Sequence, residues 1–125
     1  MMIVLNGDPT PLVRTKKDIQ FWDDYARTRF LWERDLEEYK SPILTGCLII
    51  TVTFVMPFRN HLAKEKRIAL ENTYMNKRPY LSQLISAVEE LCRGTLFKDG
   101  GSIARIVGEK RYGNDPRTII TIERE

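Results

Sequence analysis

The chain has few of the residues that most often build metal or redox sites. In 125 residues there is one histidine, His61, and only two cysteines, Cys47 and Cys92. These three make no zinc-spacing pattern. The cysteines are expected as small buried side chains rather than as a disulfide or metal ligands. Long apolar runs are missing as well. The longest, 47–56, is interrupted by threonines and falls short of the roughly 20 residues of a membrane helix. The opening residues carry no basic segment and reach Asn6-Gly7-Asp8-Pro9 too soon for a secretory signal. A cytosolic address and no membrane partner are therefore expected. Internal repeats and low-complexity segments are also absent.

What is present has a globular balance: 42% of residues are hydrophobic and 30% charged. That is enough for one modest core without staples, and a single domain over 1–125 is expected. The net charge of +3 is too small to announce a polyanion partner by itself. Its distribution says more. Arg59, Lys64, Lys66, Arg67, Lys77 and Arg78 crowd the middle of the chain against Glu65 and Glu71, while 18–38 leans acidic. A basic middle fits a surface that faces phosphate, and it also fits an ordinary solvated helix.

The pattern along the chain predicts β-α-β-α-α-β-β. A short strand over 3–5 stops at Asn6-Gly7-Asp8-Pro9, and a basic loop follows over 9–17. A helix over 18–39 carries Trp22, Tyr25, Trp32, Leu36 and Tyr39 three and four apart, with Arg29 the exception on that face. Such a stripe suits core packing, and aromatics also suit a dimer face. A strand over 44–56 is apolar on both faces, so it belongs inside a sheet. A short basic helix over 61–72 comes next. Pro79 opens another over 80–93, with Leu81, Leu84, Ile85, Val88 and Leu91 as its stripe and Gly94 as its stop. Strands over 102–112 and 117–122 flank the turn Gly113-Asn114-Asp115-Pro116. The fold class expected is α+β, a mixed sheet with helices mainly on one face.

Several short motifs recur in a fixed order. They are Met56-Pro57, the lysine-rich 64–67, Lys77-Arg78-Pro79 and the apolar helix after it. Phe97-Lys98-Asp99, Ile103, Glu109-Lys110-Arg111-Tyr112 and Pro116-Arg117-Thr118 follow. In this order they resemble the RusA family of Holliday-junction resolvases, and 5–12 is similar to that family's opening. The resemblance implies a RusA-like fold, a homodimer, branched DNA as substrate and a magnesium-dependent crossover-junction cleavage used in DNA recombination. It also makes a phage or prophage origin reasonable.

The departures matter more than the matches. Where the family holds its cation with aspartates, this chain has Tyr80, Ser82 and Gly100; where the family has a lysine, it has Ser86. Asp99, the first of the family's acidic pair, remains. Magnesium takes hard oxygen donors and gives up water reluctantly, so a site without converging carboxylates loses the ion. With the ion goes the activated water and the charge relief that phosphodiester cleavage needs. No cofactor is expected here, and Asp99 acting with Glu71 or Glu109 offers no evident convergence. Two functions follow. One is a catalytically silent protein that grips branched or double-stranded DNA through Arg14, Lys16, Lys17, Lys64, Lys66, Arg67, Lys77, Arg78 and Lys98, by phosphate contact. The other is a resolvase fold reused as a protein-binding module or inhibitor, with Tyr80, Tyr74 and Met75 making the old pocket more apolar. An active resolvase is the reading least in keeping with these residues.

Overall fold

A computed structural model describes residues 1–11, 19–39, 42–58 and 62–125, with the side chains of the first helix described from Arg27 onward. In chain order the elements are β1 (Met2–Asn6), α1 (Ile19–Glu37), β2 (Leu48–Met56), α2 (Lys64–Leu70), α3 (Leu81–Cys92), β3 (Ile103–Tyr112) and β4 (Arg117–Arg124). This is the α+β order read from the sequence. The four strands form one mixed sheet in the order β1-β4-β2-β3, with β2 and β3 parallel and the other pairs antiparallel.

β2 is an interior strand, as its two apolar faces require. One face carries Leu48, Ile50, Val52 and Phe54, all buried against the helices. Beside them on the same face lie Ile3 and Leu5 of β1, Thr118, Ile120 and Ile122 of β4, and Ile106 and Gly108 of β3. Trp32 and Leu36 of α1 and Leu84, Val88 and Leu91 of α3 close the core from above. The apolar stripe of α1 is thus core over its described half, and Tyr39 packs against the same cluster. Arg29, the exception on that face, bonds Glu33 at 3.1 Å and reaches Glu90 of α3 at 3.0 Å. Both partners are partly exposed, so this bridge adds little stability.

Gly108 and Gly94 show why the helix–sheet packing is close. A Cβ on Gly108 would stand 2.8 Å from Ile85 Cδ1, so any side chain there would make Ile85 of α3 give way. Gly94 follows α3 at φ +85°, the left-handed turn that ends a helix at low cost.

The other face of the sheet carries no helix among the described residues. Its rungs run Met2–Thr121–Thr51–Val107 and Val4–Ile119–Thr53–Glu109. Met2 and Val107 are exposed there. At the β1 margin two outward N–H groups are satisfied from α1 and its end. Val4 donates to Tyr39 Oη at 3.1 Å and Asn6 to Asp35 Oδ2 at 2.9 Å.

Boundaries differ most from expectation at β2 and α2. β2 begins at Leu48 rather than 44, because Gly46 turns the chain at φ +92° and Leu44 instead makes a lone bridge to Phe97. α2 is confined to Lys64–Leu70 and buries no residue; His61 and Arg59 lie outside the described residues. The cysteines also divide. Cys92 is buried in α3, and burial pushes its thiol pKa up to about 12. Cys47, expected to be buried, is exposed on the segment between Gly46 and β2, and both thiols are free.

Candidate functional site

The lowest layer of the site is the loop that feeds α3. Pro79 precedes the helix and Tyr80 is its N-cap, with φ −68° and ψ 137° and no side-chain capping bond. The Tyr80 carbonyl accepts from the N–H groups of Gln83 at 3.1 Å and Leu84 at 3.2 Å, which starts the helix. The ring is left free and 55% exposed. The guanidinium of Arg78 stands over it, 5.5 Å from the centroid.

Lys110 of β3 holds this loop in place. Its Nζ donates to the Lys77 carbonyl at 2.5 Å and to the Pro79 carbonyl at 2.8 Å, on either side of Arg78. Partial burial pulls the Lys110 pKa below its ordinary value, while two carbonyl acceptors favour the charged form. Lys110 belongs to the Glu-Lys-Arg-Tyr motif, yet its positioning role was invisible in sequence, because only the register of β3 brings it to the loop. Lys110→Met is expected to lower stability by about 1–2 kcal/mol, the worth of charge-assisted hydrogen bonds in partly exposed surroundings. Urea unfolding measures this, and amide exchange should quicken over 77–81. An unchanged exchange pattern there would remove the anchoring role.

The outer edge of β3 is partly closed by 72–75. Met75 donates to the Lys110 carbonyl at 3.0 Å, and Tyr112 donates to the Thr73 carbonyl at 3.0 Å. Met75 packs against the core. Tyr74 is exposed, with the Arg111 guanidinium 4.1 Å from its ring centroid. Of the three residues expected to make the old pocket more apolar, Tyr80 and Tyr74 are exposed and Met75 is partly buried. Met75 turns inward and Tyr74 is engaged with Arg111, whose neighbours across the sheet are on the helix-free face.

The positions that match the family's metal ligands are Tyr80 at the N-cap of α3, Ser82 in its first turn and Gly100 beyond its end; Ser86 matches the family's lysine. On α3, Ser82, Ser86 and Glu89 follow one another at i, i+4 and i+7, about 10 Å along the axis. Ser86 Oγ donates to the Ser82 carbonyl at 2.9 Å, a local bond within the helix. Gly100 opens a 3-10 turn, Gly100–Ser102, just before β3. Glu89 Oε1 occupies the place a Cβ on Gly100 would take. A carboxylate thus stands in the space of the missing side chain, but it comes from α3. Nothing in the spacing pointed to Glu89, because the contact is tertiary. Asp99 caps the 3-10 turn, its Oδ1 accepting from the Gly101 N–H at 2.7 Å. The other two acids weighed in sequence serve elsewhere. Glu71 accepts from Asn114 at 3.2 Å, and Glu109 accepts from Arg111 at 3.0 Å on the helix-free face.

A hard divalent cation needs several anionic oxygens aimed at one point. Here a phenol (Tyr80), one hydroxyl (Ser82) and a glycine (Gly100) stand where those oxygens are needed. Among the described residues no group of three or more His, Cys, Asp or Glu could hold a metal ion. The donor set does not fit magnesium.

The predicted DNA-contacting residues fall in separate places. Lys64 and Lys66 are exposed on α2, and Arg67 donates from Nε to the Leu62 carbonyl at 3.0 Å. Lys77 and Arg78 are exposed on the anchored loop. Lys98 is exposed beside Asp99, at the opposite end of β3 from Lys110. Arg14, Lys16 and Lys17 lie outside the described residues. No described helix is long and apolar enough to cross a membrane.

A mixed sheet with helices on one face, and a loop–helix–turn arrangement at β3, define an α+β scaffold. A family model described as Endodeoxyribonuclease RusA matches residues 8–123, and the chain belongs to that family. No match was found among curated proteins.

Proposed function

We propose that this chain is a RusA-family DNA-binding protein without cation-dependent cleavage. Its ligand is branched or double-stranded DNA, held by phosphate contacts from Lys64, Lys66, Lys77, Arg78 and Lys98 and from Arg14, Lys16, Lys17 and Arg67. The observation that carries the reading is the donor set along α3. Tyr80, Ser82 and Gly100 supply no carboxylate, while the motifs that carry Lys64, Lys66, Arg67, Lys77, Arg78 and Lys98 are kept. Removing carboxylates leaves phosphate binding intact and lessens repulsion at the DNA-facing side. The helix-free sheet face, with apolar rungs between charges of both signs, suits a second copy of the chain facing itself about a two-fold axis.

One set of measurements tests this. The purified protein is mixed with a synthetic four-way junction, with magnesium or manganese, and its mass is taken by light scattering. The expected result is a dimer that shifts the junction at low salt and leaves every strand uncut. Strand scission that scales with protein would overturn the loss of chemistry. A stoichiometric protein partner with no junction binding would replace DNA binding by the protein-binding reading.

A further inference from the structure

Resting on the DNA-binding reading, we infer that Tyr80 and Arg78 form a stacking seat for an unpaired nucleobase at the branch point of DNA. The ring of Tyr80 is 55% exposed and makes no capping bond to its own helix. An exposed aromatic that serves neither core nor cap is available to a ligand. Its cationic neighbour over the ring is the Arg78 guanidinium, 5.5 Å from the centroid. Arg and Tyr planes both accept nucleobases by stacking, with little preference for sequence.

The chemistry around the ring favours a base over an apolar protein side chain. Asn76, Lys77 and Arg78 are all exposed on the approach to Tyr80. A base arrives with a phosphate attached, and Lys77 and Arg78 meet that phosphate while the ring meets the base. The loop is also fixed in advance. Lys110 binds the carbonyls on both sides of Arg78, so ordering the seat upon binding costs little. The tyrosine stands at a position where the family places a carboxylate, so the change replaces a charge that repels DNA with a surface that stacks on it. A base paired inside a duplex presents no free face; an unpaired one at a junction or gap does.

The test uses the full chain and three probes: a fully paired duplex, a paired four-way junction, and the same junction with unpaired nucleotides at its centre, one of them 2-aminopurine. Tyr80→Ala is expected to weaken the unpaired-centre probe about tenfold, since one stacked base is worth on the order of 1–3 kcal/mol. Its duplex affinity stays unchanged. Tyr80→Phe keeps wild-type affinity, and the wild type quenches the 2-aminopurine signal while Tyr80→Ala does not. Equal losses on all three probes, or none on any, overturn the seat and leave DNA binding standing. A wild type that binds no probe overturns both readings together.

Discussion

Affinity for a four-way junction is expected to fall roughly 500-fold between about 50 and about 200 mM salt. The reasoning runs through counterions. Each phosphate neutralised by a lysine or arginine releases a condensed cation, and the logarithm of affinity falls by about 0.9 per contact for each decade of salt. Of the proposed phosphate contacts, Lys64, Lys66, Lys77, Arg78 and Lys98 are the five exposed among the described residues. Five contacts give a slope of about −4.5. Replacing both Lys77 and Arg78 with alanine should reduce that slope by about two and weaken all DNA probes alike, because phosphate contacts carry no sequence information. Titrations at four salt concentrations measure both quantities. A slope near zero would mean that these cations are ordinary solvated surface.

Phe54→Ala should be the most damaging single change to the fold. Phe54 is fully buried toward the C-terminal end of the interior strand, with Thr118 and Lys110 as its cross-strand neighbours on the same face. Truncating a buried phenylalanine costs about 3–5 kcal/mol, from lost transfer energy and the cavity left behind. A domain's whole stability is only about 5–15 kcal/mol. The urea midpoint should therefore drop steeply while the slope of the transition stays constant. The consequence extends to the site, because Lys110 anchors the loop that carries Tyr80. A loss of less than about 1 kcal/mol would show that the helices can close over the gap.

The fold was legible because its signals are local. Period-two burial along β2, the stripe of α3, Gly94 and the Gly-Asn-Asp-Pro turn each act within a few residues. The changed acidic positions were legible because the motif order fixes them. The contacts that complete the site were not. Lys110 reaches residues 77 and 79 only through the pairing of β3 with β2, and Glu89 meets Gly100 only through helix–sheet packing. Cys47 was misjudged for a similar reason. It sits in an apolar stretch of sequence, but the turn at Gly46 holds it ahead of the strand.

The bonds from Val4 to Tyr39 and from Asn6 to Asp35 have a bearing on self-association. Those two amides are the rungs onto which a foreign strand would add, and α1 has already taken them. Growth of the sheet past β1, from one molecule into the next, is blocked at that side. The edge at β3, closed by 72–75 over its last residues alone, remains open to such addition.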